Sequence, residues 1–187
     1  MPRKTDTRER VLRSAATLFR DQGYHATGLA QVLTEGDAPK GSMYFHFPGG
    51  KEQLAVEAVA LTGGETKDAL RELLQSTTDL RAGFDLVIER LAENLVSSGF
   101  LAGCPIATVA LDVAGQNEPI RTACQEQYES WEAVIAEHLR SHGIADADEV
   151  ATMLLAAIEG GMLLAKTRHD IAPLRVVGAQ LHRLLAG

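Results

Sequence analysis

The chain has 187 residues, 45% of them hydrophobic, with 18 basic against 25 acidic side chains and a formal net charge of −7. That length and apolar content suffice for a substantial buried core. The negative balance excludes a uniformly basic nucleic-acid binder. The average conceals an asymmetry, however: residues 1–51 carry eight Lys or Arg (Arg3, Lys4, Arg8, Arg10, Arg13, Arg20, Lys40, Lys51) against five acids, a balance of +3, and the remainder stands at −10. A positive head on a negative body points to a polyanion met by the head alone.

Strands are not expected, because Ala, Leu, Glu, Gln and Arg dominate and no segment alternates apolar and polar residues for long. Val11, Leu12, Ala15, Ala16, Leu18 and Phe19 recur at helical spacing, and Gly23 supplies a stop. Thr27 is placed to cap a second helix with Leu29, Val32 and Leu33 on one face. Glu35-Gly36-Asp37 makes a turn, Pro39 suits the first turn of a third helix, and Pro48-Gly49-Gly50 breaks the chain before a long helix that begins near Lys51. Gly63-Gly64 is read as the end of that helix, in preference to a flexible joint between head and body.

Longer helices follow. Leu80, Phe84, Val87, Ile88, Leu91 and Leu95 trace one face at intervals of three and four. Pro105 opens a short helix through Val113; Pro119 opens another that ends at Gly143; Asp146 caps the next; Pro173 starts the last. The expected architecture is all-α with about nine helices: residues 1–52 form a three-helix helix-turn-helix head, and residues 53–187 a helical effector-binding and dimerisation body. The N-terminus is too charged for a signal peptide, and the longest uncharged run, 94–111, is broken by Gly and Pro. A cytoplasmic protein without a membrane partner is expected.

The chemistry concentrates in Ala38-Pro39-Lys40-Gly41-Ser42-Met43-Tyr44-Phe45-His46-Phe47. DNA recognition needs donors that fix register on phosphates and side chains that reach base edges. Thr27 offers a hydroxyl at a helix start, Lys51 and the Gly49-Gly50 amides offer donors at another, and Tyr44 and His46 combine a packing ring with a polar tip. Lys40 and Ser42 are positioned for base edges, Pro39 for an apolar contact, and Gly41 lets backbone come close to a partner. Singly, each of these residues is ordinary core or solvated surface; the combination at this spacing is what points to duplex DNA.

The segment Thr27 to Leu54, with APKGSMYFHFPGGKEQL at its centre, resembles the DNA-binding head of the TetR-type transcriptional regulators. Lys40, Gly41, Tyr44, His46 and Phe47 match that family's recognition-helix pattern. The resemblance implies a phosphate-binding role for Thr27 and Lys51. Gly103-Cys104-Pro105-Ile106 and the run Glu159 to Ala165 resemble the LmrA/YxaF-like subgroup, whose members sense small molecules. Two departures are visible: Pro39 stands where many relatives carry Ser, and the 48–51 link is one residue longer than the common one, a length the subgroup shares.

A three-helix head touches one half-site, so palindromic recognition of an operator requires a homodimer. Small and apolar residues of the last two helices, Leu155, Gly160, Gly161, Leu163, Leu181 and Leu184, are the expected dimer interface, and the resemblance implies a four-helix seam there. Phe84, Ile88, Phe100, Cys104, Tyr128, Trp131, Ile135 and Met153 are candidates for an apolar effector pocket suited to a lipophilic or aromatic small molecule. The alternatives are a redox sensor built on Cys104 and Cys124, an all-α enzyme, and a pure protein-interaction bundle. None of the six histidines has Glu three residues before it, and the zinc-protease, hydrolase and dinucleotide signatures are absent. No catalytic residue, metal or cofactor is therefore expected. His138 and His142, one turn apart, are assigned to a helix C-terminus rather than to a metal.

Overall fold

The computed structural model describes residues 4–113 and 115–185; Arg3, counted in the positive head, lies outside them. Nine helices and no strand occur among the described residues: α1 Lys4–Ala26, α2 Leu29–Glu35, α3 Ser42–His46, α4 Gly50–Gln75, α5 Leu80–Ser97, α6 Ala107–Val113, α7 Glu118–Ser141, α8 Ala147–Arg168 and α9 Ala172–Leu184. The chain divides into two compact units, 1–64 with 105–127, and 65–104 with 128–187. The divisions at 64/65 and 127/128 fall inside α4 and α7, and the one at 104/105 between α5 and α6.

The first unit packs α1 against α2 and α6. Phe19 and Phe47 are 1% and 0% exposed, and each such burial contributes roughly 1.5–3 kcal/mol. Met43, Leu54, Val109 and Ile120 join them inside. Gly23, at φ 83°, interrupts the helical geometry of α1 as its sequence position predicts. The α2–α3 turn is held by Arg10, which donates from Nε to the Gly36 carbonyl (3.0 Å) and from Nη2 to the Asp37 carbonyl (2.9 Å). Gly36 is required there: a Cβ would sit 3.1 Å from the Val32 carbonyl oxygen and 3.2 Å from Cα of Val11.

Three local expectations are corrected. Thr27 does not cap α2; Gly28 is the N-cap, without a side-chain cap bond, and the buried Thr27 hydroxyl donates to the Gly23 carbonyl at 2.6 Å. Pro39 precedes α3 instead of opening it, because the Pro39 carbonyl accepts from both the Ser42 amide (2.9 Å) and the Ser42 hydroxyl (2.6 Å), a turn that sets the helix start at Ser42. Gly63-Gly64 ends nothing: α4 runs straight through both. A Cβ at Gly63 would overlap the Gln127 side chain, so this glycine serves close packing, whereas Gly64 faces open space.

In the second unit, Phe84, Val87, Val134, Ile135, Leu139, Leu154 and Leu181 form the heart of one hydrophobic cluster. Asp79 caps α5 by accepting from the Arg81 (3.0 Å) and Ala82 (2.8 Å) amides; these N–H bonds, the Ala82 one first, hold its carboxyl below the usual range. α8 packs on α9 through Gly161, whose Cβ would lie 3.0 Å from Val177. α8 is also long and apolar enough to cross a membrane by length and composition, but Ala151, Leu154, Ile158, Met162 and Ala165 are buried within the unit, as in a core helix.

Candidate nucleic-acid interface and body sites

Amphipathicity decides how the short α3 is presented. Met43 and Phe47 turn inward, while Lys40, Gly41, Tyr44 and Phe45 are exposed, Tyr44 to 68% and Phe45 to 66%. Nothing lies within 4 Å of a Cβ at Gly41, so the helix start is open to a close partner. The His46 ring packs edge-on against Phe45 with centroids 4.9 Å apart. The Ser42 hydroxyl donates to the Pro39 carbonyl, which leaves its oxygen as an acceptor. Pro39 is exposed beside it.

The expected phosphate donors divide. The Gly49 amide donates to Gln53 Oε1 (2.8 Å) and the Gly50 amide to the Phe47 carbonyl (2.9 Å), so neither amide is available; the local N-terminal turn of α4 consumes both. Thr27 is 1% exposed and its oxygen also accepts from Gln22 Nε2 at 3.2 Å, which ties it to the turn. Lys51 sits at the surface of the same region, with Nζ 4.5 Å from the centroid of the Tyr24 ring and 3.4 Å from the His25 carbonyl. Desolvation pulls its ammonium below the usual lysine value, and Asp112 opposes that shift.

Asp112 has a further role. Its Oδ2 accepts the His25 amide at 2.7 Å, so the end of α1 is clamped by α6 through N–H and by Lys51 through C=O. Gly23 makes room for the carboxylate; a Cβ there would stand 3.0 Å from Oδ2. Asn117 adds a second tie, donating to Glu52 Oε2 at 2.7 Å.

Within the second unit, the expected effector residues separate. Cys104, Tyr128 and Trp131 come together: the Cys104 sulfur is 3.6 Å from the Tyr128 hydroxyl, and the Tyr128 and Trp131 rings stand 5.3 Å apart, edge to face. Phe84 and Ile135 are instead sealed in the hydrophobic cluster at 2% exposure each. Phe100 stacks beside His169 at 5.4 Å, and Met153 is 44% exposed on α8. Ile88 alone of the set lines a groove of about 1010 Å³ between α5 and α9, with Asp85, Glu89, Arg175 and His182.

The residues of the expected seam divide by exposure. Gly161 and Leu181 are buried against neighbouring helices of the same chain, because the α8–α9 contact consumes that face. Gly160, Leu163 and Leu184 are exposed and Leu155 half-buried. With Met153 and Ala156, they leave an outward stripe on α8 at 153, 156, 160 and 163, a three-four spacing.

The family model described as bacterial regulatory proteins, tetR family, matches residues 11–58, and that of the transcriptional regulator LmrA/YxaF-like C-terminal domain matches residues 81–180. The HTH-type transcriptional regulator YxaF of Bacillus subtilis is 38% identical over 97% of this chain and 96% of its own. The HTH-type transcriptional regulator LmrA of the same organism is 38% identical over 96% of this chain and 97% of its own. The chain belongs to the TetR family, in its LmrA/YxaF-like branch. As a TetR-family protein it is a DNA-binding transcriptional regulator. Solved structures agree in fold: reduced NemR from Escherichia coli superposes with a TM-score of 0.80 at 25% identity (93% of this chain, 94% of that one), and a TetR regulatory protein from Rhodobacter sphaeroides with 0.84 at 20% (94% and 96%).

Sequence reasoning about this TetR-family chain passed over the exposed Phe45 and the bond of Asp112 to His25. Phe45 was hidden between Met43 and Phe47, which are buried. Asp112 had a signal, as the one charged residue of α6.

Proposed function

We propose that this regulator is a homodimeric repressor that binds a palindromic operator in the cytoplasm and is released by a small lipophilic or aromatic effector. The exposed row Lys40, Gly41 and Tyr44, from the turn before α3 into the helix, carries the reading, because it offers a cation, a close-approach point and a phenol to solvent together. Ser42 and Pro39 flank that row toward base edges, and His46 and Lys51 supply phosphate donors. Thr27 acts by holding the turn rather than by giving its hydroxyl to phosphate.

The outward stripe Met153, Ala156, Gly160, Leu163, with Val176 and Leu184 of α9, supports dimerisation, since α8 is apolar on its free face as well as its buried one. Effector action is a population shift: the ligand favours a head spacing mismatched to the operator. The redox alternative is disfavoured at Cys124, where burial pushes the thiol up to about 11 and keeps it protonated at neutral pH.

Selection of bound fragments from random DNA, repeated with candidate ligands and coupled to sedimentation, tests the whole reading. Enrichment of a palindrome by a dimer supports it; a monomer, or no binding at low salt, sinks it.

A further inference from the structure

The groove between α5 and α9 separates charge by wall. Every ionisable residue that lines it from α5 is acidic: Asp85, Glu89 and Glu93, one row at four-residue spacing. Every one from α9 is basic: Arg175, His182 and Arg183. His182 closes one end, with Nε2 2.7 Å from Asp85 Oδ1. Beyond that bridge the walls do not pair. Glu93 turns to Arg90 of its own helix at 3.5 Å, and the exposed Glu89 and Arg175 make no ion pair among the described residues. Two alanines keep the trough open, because Ala92 and Ala179 line it where longer side chains would fill it. Its floor is set where α5 meets α9, a Cβ on Gly178 standing 3.6 Å from Ile88. The space is about 1010 Å³, the upper end of small-molecule sites, and Val96, 55% exposed, and Ile171 add apolar surface away from His182.

We propose that this groove binds a soluble zwitterionic amphiphile: a small molecule with an ammonium, an anionic group a few bonds away and an apolar ring or chain. The site rests on the ligand-responsive reading above and gives its ligand a chemistry. The ammonium lies against Glu89 and the anion against Arg175. A ligand of one charge is attracted by one wall and repelled by the other, whereas one that carries both gains from each. Its dipole also fixes its direction across the groove. Exposed ion pairs contribute little alone, so the apolar part, laid over Ile88, Val96 and Ile171, supplies the rest of the affinity.

Titrating the full chain with dimethylbenzylammonium propanesulfonate should move the backbone amide resonances of Gly178 and Ala179 to saturation. Benzyltrimethylammonium and phenylpropanesulfonate keep the ring with one charge each, and each should bind at least about threefold more weakly. Glu89→Gln should weaken the zwitterion by about threefold and leave phenylpropanesulfonate no weaker. Arg175→Gln should weaken the zwitterion by about threefold and leave benzyltrimethylammonium no weaker. Both side chains are exposed, so neither change threatens the fold. Equal binding of the three probes, or a zwitterion affinity indifferent to both substitutions, overturns the proposal. Retention on phosphatidylcholine vesicles without saturable binding of the soluble probe overturns it too. The site and effector control part in a DNA-binding assay. Zwitterion binding through Glu89 and Arg175 with operator affinity unchanged upholds the site and removes effector control from it. Operator release by uncharged aromatics, with no zwitterion binding, removes the site and upholds effector control.

Discussion

At the scale of single residues, function rests on what each polar atom is already doing inside the chain. Lys51 keeps donor capacity beyond its bond to His25, so Lys51→Ala should weaken binding to every DNA sequence and lower the salt slope by about 0.9. Lys40→Ala should instead change the preferred bases with little change in slope; affinity titrations over a salt series, on selected and random duplexes, separate the two. Asp112 touches no DNA in this scheme but positions His25, and Asp112→Ala removes a charge-assisted bond worth about 1.5–3 kcal/mol. Roughly tenfold weaker DNA binding at an unchanged salt slope is expected. His138 gives a pH signature. Burial, then the neighbouring His142, holds its imidazole below the ordinary 6.5, and its Nε2 has no hydrogen-bond partner. The unfolded chain therefore binds the proton first: stability is complete above 6.5 and falls as pH drops from there toward the depressed folded value. His138→Leu should flatten that decline, read as urea midpoints between about pH 7.5 and about 5.5.

Among the helices, Gly63 and Gly64 make a paired test. Gly64→Ala, with open space around it, should stabilise α4 by about 1 kcal/mol. Gly63→Ala forces Gln127 to move and should destabilise, and Gln127→Ala should relieve part of that loss; thermal melts of the three variants and the double variant decide it. The pair also shows how far the sequence can be read. Apolar periodicity located the longer helices, and Gly23, Pro105, Asp146 and Pro173 marked ends or starts within a few residues, because those signals are local. What failed was tertiary: two glycines look like a stop until Gln127 is seen to need the room. Thr27 looks like a cap until its hydroxyl is found on Gly23. The outward placing of Lys40, Gly41 and Tyr44 was legible because Met43 and Phe47 mark the inward face of this short segment. The effector set was not, since Phe84 and Cys104 are both buried and which of them meets a polar partner is decided by residues far along the chain, His138 for one and Tyr128 for the other.

For the whole molecule, oligomeric state is the decisive variable. Gly160 has nothing within 4 Å in the isolated chain, so a larger residue there harms no intrachain packing. Gly160→Leu should leave the circular dichroism melt nearly intact while shifting sedimentation from dimer to monomer and abolishing tight operator binding. An unchanged dimer would move the seam away from α8. A different consequence follows from the 105–127 stretch, which clusters with the head although it lies some fifty residues downstream of it. Engineers who graft such reading heads onto foreign sensors by cutting once, within α4, would strip away Asp112 and Asn117 and leave the His25 amide and Glu52 unanchored. A transplantable cassette from this protein has to be discontinuous, two stretches of chain carried together.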